Sequence, residues 1–115
     1  MLSAFQRALA ARTIPLVFAL AFPCLAVPAA AEEIHVKIDN FVFVPDTVTI
    51  KPGDTVTWEN VDDIPHSLVS KTPGAFRSHP LDTNDTFSFV FATAGAFDYF
   101  CGLHPHMQGK VIVAP

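Results

Sequence analysis

Near its C-terminal end the chain reads Cys101-Gly102-Leu103-His104-Pro105-His106-Met107. A thiol, an imidazole three residues later and a thioether three residues after that put three soft or borderline donors on one short loop. At about 3.3–3.6 Å per extended residue, such spacings let a loop fold around a single ion. Thiolate, imidazole and thioether together favour copper, and two histidines and one cysteine with a weak axial methionine are the donors of blue-copper electron-transfer sites. The second imidazole comes from Ile64-Pro65-His66, which follows a strand-like stretch and the turn Asn60-Val61-Asp62-Asp63. His66 and Cys101 are 35 positions apart, and loops that far apart can meet at one end of an antiparallel fold. His66, Cys101, His104 and Met107 are therefore the expected ligands of one copper ion. Taken singly, each has an ordinary role, as a surface histidine, a buried thiol or a core-filling methionine. Their conjunction carries the assignment. His106 is expected to point away from the metal, and His35 and His79 to be solvated.

The cysteine count supports a capped thiol. Of the two cysteines, Cys24 lies in an N-terminal stretch built like a secretory leader. Arg7 and Arg12 give it a basic start, Thr13 to Val27 is apolar and uncharged, and Ala29-Ala30-Ala31 offers a small-residue cleavage site. Pro15, Pro23 and Pro28 interrupt the roughly 20 apolar residues that a membrane span needs. Ala21-Phe22-Pro23 is a poor context for acylating Cys24. The expected organisation is a signal peptide over 1–31 and one domain over 32–115. Cys101 is then alone, no intrachain disulfide can form, and a free thiol in an oxidising compartment needs a cap such as a metal. Without residues 1–31, the lysines and arginines number 5 against 11 acids, a net charge near −6. That balance argues against nucleic acid and suits a basic partner. Asp62 and Asp63, just before His66, are expected to face such a partner.

Short strands must position the donors. Ile34–Ile38, Thr47–Ile50, Thr55–Trp58 and Thr86–Phe91 alternate with period two, and Phe97–Phe100 and Lys110–Val113 read as the last strands. Turn signals separate them, among them Lys51-Pro52-Gly53-Asp54, Asn84-Asp85 and Ala94-Gly95. The pattern contains no amphipathic helix and no repeat. It predicts an all-β antiparallel sandwich or barrel whose small core is filled by many of the 11 phenylalanines. Lys71 to Asp85 is expected to cross between the sheets on the surface, with Phe76 and Leu81 dipping into the core.

Two dense blocks give the chain a family resemblance. Pro52-Gly53-Asp54-Thr55-Val56-Thr57-Trp58-Glu59-Asn60 through Pro65-His66, and Ala94-Gly95-Ala96-Phe97-Asp98-Tyr99-Phe100-Cys101 through Met107-Gln108-Gly109-Lys110-Val111, resemble the cupredoxins. The two-residue gap between His104 and Met107 is like that of the short-loop amicyanin branch, whereas plastocyanin and pseudoazurin are more widely spaced there. The resemblance implies a Greek-key β-sandwich with one copper at one end, Cys101 at the end of its strand, and a soluble monomeric periplasmic electron carrier. It also implies transient redox partners such as a dehydrogenase or a c-type cytochrome, and no enzyme activity of its own. Three features depart from the pattern. The domain lacks the N-terminal extension usual in amicyanins. Ser67 and Gly102 replace the side-chain pair that ties the two ligand loops together, so backbone hydrogen bonds are expected to take over. His106 stands where an aromatic residue is usual. The alternative is a periplasmic copper-binding or copper-delivery protein. Its mark would be an exposed tract rich in methionine and histidine, but only Met1 and Met107 occur.

Overall fold

A computed structural model of the protein describes residues 13–17 and 30–115. The expected leader and Cys24 lie almost wholly outside the described residues. Among the described residues eight strands are present: β1 (Glu33–Asp39), β2 (Val42–Val44), β3 (Thr47–Ile50), β4 (Thr55–Asn60), β5 (Val69–Ser70), β6 (Thr86–Val90), β7 (Gly95–Phe100) and β8 (Gln108–Val113). They form two four-stranded sheets, in the orders β2-β1-β4-β6 and β3-β8-β7-β5. Among the described residues, no helix is long and apolar enough to cross a membrane.

The chain is the all-β sandwich that its alternation implies. Most neighbours are antiparallel, but each sheet carries one parallel pair. β1 runs alongside β4 from Glu33↔Thr55 to Ile38↔Asn60, and β3 runs alongside β8 from Thr47↔Lys110 to Ile50↔Val113. Period-two patterning fixes which side chains point inward but not the direction of the neighbouring strand. β2 lacks a polar–apolar alternation because all three of its residues are apolar. Phe43 is buried, while Val42 and Val44 face outward.

The core between the sheets is aromatic at its centre. Trp58 is fully buried, stacked on Phe76 at 5.6 Å and edge-on to Tyr99 at 5.4 Å. Phe76 and Leu81 are buried, as expected of the crossing segment. Leu81 does more than fill space. It exchanges two backbone hydrogen bonds with His66, at 2.6 and 3.1 Å, and so fastens the His66 loop to the crossing.

At the opposite end of β4, Asp54 closes the Lys51-Pro52-Gly53-Asp54 turn. Gly53 takes a φ of +94°, which glycine adopts at little cost. The Asp54 carboxylate accepts the Glu32 N–H at 2.8 Å and the Lys51 N–H at 2.9 Å. These two bonds to the charged form hold its pKa below the ordinary 3.8. Because the folded value is depressed, the stabilisation is fully present above 3.8 and is lost as pH falls through the folded value. Asp54→Asn should therefore lower the melting temperature at neutral pH, and the gap to the native protein should shrink as pH drops below 3.8. Parallel melting curves down to acid pH would test this. A gap that is constant with pH would show that the carboxylate charge is not what these bonds use.

Candidate metal centre

The ligand loops lie at one end of the sandwich. Cys101 directly follows β7, and the loop after it is closed by three backbone hydrogen bonds. The Cys101 N–H donates to the Met107 carbonyl at 3.0 Å, the Met107 N–H to the His104 carbonyl at 2.9 Å, and the His104 N–H to the Cys101 carbonyl at 3.2 Å. The three-residue spacings thus become a tight, internally bonded loop. Cys101 is fully buried and Met107 is 3 % exposed.

Asn60, at the end of β4, organises the other loop. Its buried amide donates to the carbonyls of Ile64 and Leu81, both at 2.8 Å, and its side-chain oxygen accepts the Asp62 N–H at 2.9 Å. This amide shapes the chain from 60 to 66 and, with the Leu81 pairing, presents His66 to the thiol. His66 is fully buried.

The two loops converge. Nδ1 of His66 lies 3.6 Å from Cys101 Sγ, and Nδ1 of His104 lies 3.7 Å from it. The ligating atoms of the three residues are all within 4.8 Å of one another. His104 is half-buried and is the member of this trio that reaches the surface. His106 is exposed and stands edge-on to His104 with ring centroids 6.5 Å apart, outside the trio, as expected. His35 and His79 are exposed strand and loop residues.

The link between the loops survives in altered form. The Ser67 hydroxyl accepts the Gly102 N–H at 3.0 Å, and the Ser67 N–H points at Cys101 Sγ at 3.4 Å. The expectation of backbone bonds alone is therefore corrected, because one partner is a side chain. Gly102 is required by the close approach. A Cβ there would lie 2.7 Å from Ser67 Oγ and 3.1 Å from Val69 Cγ2. A larger residue after the cysteine and a serine after the first histidine compete for one space.

The reading of Asp62 as a partner-facing charge is also corrected. Its side chain is only 12 % exposed, and one carboxylate oxygen lies 2.8 Å from His66 Nε2. Burial pushes this carboxyl up, but the N–H groups of Phe41 and Asn40, together with His66, outweigh burial and hold it below the usual aspartate value. Asp63 remains exposed. Phe41 has no expected role in the sequence reading, yet its ring is edge-on to both His66 and His104, at 5.6 and 5.2 Å.

A buried thiol flanked by two imidazole nitrogens, with a buried methionine closing the same loop, has the donor chemistry of a copper site rather than of a hard-cation site. Comparison with known proteins agrees. Residues 12–113 match the cupredoxin-like domain. Amicyanin of Paracoccus versutus is 37% identical over 95 residues, covering 79% of this chain and 72% of the relative. Amicyanin-alpha of Methylorubrum extorquens is 39% identical over 89 residues, covering 74% and 75%. Among solved structures, a purple cupredoxin from Nitrosopumilus maritimus superposes with a TM-score of 0.65 at 33% identity, over 70% of this chain and 99% of that one. On its sequence, its sandwich and its end-loop donor set, the chain belongs to the cupredoxin-like family.

Proposed function

We propose that this protein is a one-copper electron carrier. Its metal is held by Nδ1 of His66, Nδ1 of His104, the Cys101 thiolate and, weakly, the Met107 thioether, and it moves single electrons between redox proteins in the periplasm. The observation that carries this reading is the fully buried Cys101 sulfur, set 3.6 and 3.7 Å from two imidazole nitrogens on independently braced loops. Bound copper supplies a one-electron couple. The chain's own contribution is rigidity and exclusion of water. Three backbone hydrogen bonds fix the Cys101–Met107 loop, Asn60 and Leu81 fix His66, and little has to move when charge changes. His104, half-buried, is where a partner comes nearest to the donors. A dehydrogenase or a c-type cytochrome fits as partner, and the acidic surface suits a basic face on it.

The test is the visible spectrum and redox behaviour of the copper-loaded protein. An intense visible band that bleaches and returns on cycling, with one copper retained in both states, supports the reading. Transfer of Cu(I) to an acceptor on every reduction would overturn it in favour of copper delivery.

Met107 has its own expected outcome. Met107→Leu replaces a core side chain by one of similar volume, a change that costs under about 1.5 kcal/mol. Copper and colour should remain, and the reduction potential should rise, because loss of a neutral donor weakens the oxidised state more than the reduced one. Voltammetry of the two proteins checks this. Complete loss of copper would show that the thioether is a principal ligand.

A further inference from the structure

We propose that Asp62 is a positioning residue that joins the β1–β2 turn to the donor set, and that it thereby holds Phe41 as an aromatic cover over both imidazoles. One carboxylate serves three groups. Oδ1 accepts the Asn40 N–H at 2.6 Å, and Oδ2 accepts the Phe41 N–H at 3.1 Å while facing His66 Nε2 at 2.8 Å. An ionised carboxylate only accepts, so His66 carries its proton on Nε2 and turns the lone pair of Nδ1 towards Cys101. The aspartate thus fixes both the tautomer and the ring orientation of a ligand.

The same carboxylate stabilises an unusual turn. Asn40 and Phe41 join β1 to β2 with φ values of +51° and +62°, in the two-residue hairpin whose flanking pair is Asp39↔Val42. Positive φ at both central positions favours Asn followed by Gly. Asn40 fits that preference, and a phenylalanine in the second position does not. Local strain of this kind persists where the surroundings hold it in place. Here Asp62 takes both turn N–H groups, and the ring is set at 90° to His66 and 83° to His104. Although 44 % exposed, Phe41 stands over the rings of both histidines of the trio. The predicted role is to slow the access of outside ligands to the donors.

Two measurements test this, and the first needs no metal. In the metal-free protein, nitrogen-15 imidazole spectra should show His66 protonated on Nε2, and proton contacts should link the Phe41 ring to both imidazoles. Asp62→Asn offers one accepting oxygen in place of two, so it should weaken the tautomer preference and the ring contacts together. Native tautomer and contacts in that variant would overturn the positioning role. The second measurement uses Phe41→Gly, which suits the turn and should fold at least as well. Its loaded form should lose Cu(I) to bathocuproine roughly tenfold faster than the native protein, the scale of two edge-on aromatic contacts. An unchanged rate would overturn the cover. This inference rests on the copper reading only in the second measurement. If the native protein binds no copper, that reading fails, while the metal-free spectra still decide the role of Asp62.

Discussion

Cys101→Ser should give a colourless protein. The sulfur is fully buried, receives the Ser67 N–H, and lies against both imidazole nitrogens. In the copper reading the intense visible band arises from charge transfer out of the thiolate. A serine hydroxyl is harder and much less acidic, so it supplies neither the soft donor nor the low-energy electron pair. The substitution is nearly isosteric, and the new hydroxyl has the Ser67 N–H and two ring nitrogens as hydrogen-bond partners. Burying it should therefore cost no more than the ~1–3 kcal/mol seen for polar groups in protein interiors. The expected result is a folded variant that binds some copper through its histidines and has lost nearly all of its visible absorption. Absorption and metal content measured on the same sample separate loss of colour from loss of copper. A strong band near the native position would mean that Cys101 is not the thiolate donor.

How far the sequence exposes this site depends on which interactions leave a pattern along the chain. Donors within one loop do so. Cys101, His104 and Met107 are three residues apart, and the loop closes through backbone bonds that those spacings allow. The alternating strands are equally plain, because burial on one face writes itself into every second residue. β2 and the two-residue β5 escape, the first because its exposed valines look like core, the second because it is too short to alternate. The parallel pairings escape because inward-facing positions do not encode neighbour direction. The support around the donors was the least legible. Asp62 looks like a solvated turn charge until the hairpin from β1 to β2 is folded over it, a contact across 22 positions. Phe41 lies between the alternating stretches and carries no pattern of its own. Asn60 reads as a turn residue, although its buried amide carries three hydrogen bonds. Only the four-residue step from Asp62 to His66 held a readable hint. A carboxylate that close to a ligand histidine is a candidate partner for its second nitrogen.

Gly109→Ala should be clearly destabilising although it adds a single methyl group. Gly109 pairs across the sheet with Tyr99, whose ring lies directly over it. A Cβ at position 109 would collide with Tyr99 Cζ and Oη. Movement of an exposed side chain could relieve such a clash, but Tyr99 is 1 % exposed, and burial raises its phenol pKa to about 12. Its ring packs on Phe43 at 4.8 Å, on Trp58 at 5.4 Å and on Phe76 at 6.1 Å. Shifting it therefore means repacking the centre of the core. Overpacking of this kind typically costs about 1–3 kcal/mol, and a rigid, fully enclosed ring puts this case at the upper end. For a domain this small each kcal/mol is worth roughly 4–8 °C of melting temperature, so a fall of more than about 10 °C is expected. The sign is diagnostic. The backbone at Gly109 lies outside the left-handed region, where alanine would be strained, and replacing such a glycine normally stabilises by about 0.4–1 kcal/mol through the unfolded chain. A double variant that also carries Tyr99→Leu should lose less than the sum of the two single losses, because the shorter side chain vacates the space that the new methyl needs. Thermal melts of the three variants read the coupling directly. A neutral or stabilised Gly109→Ala would show that the ring does not lie over the glycine.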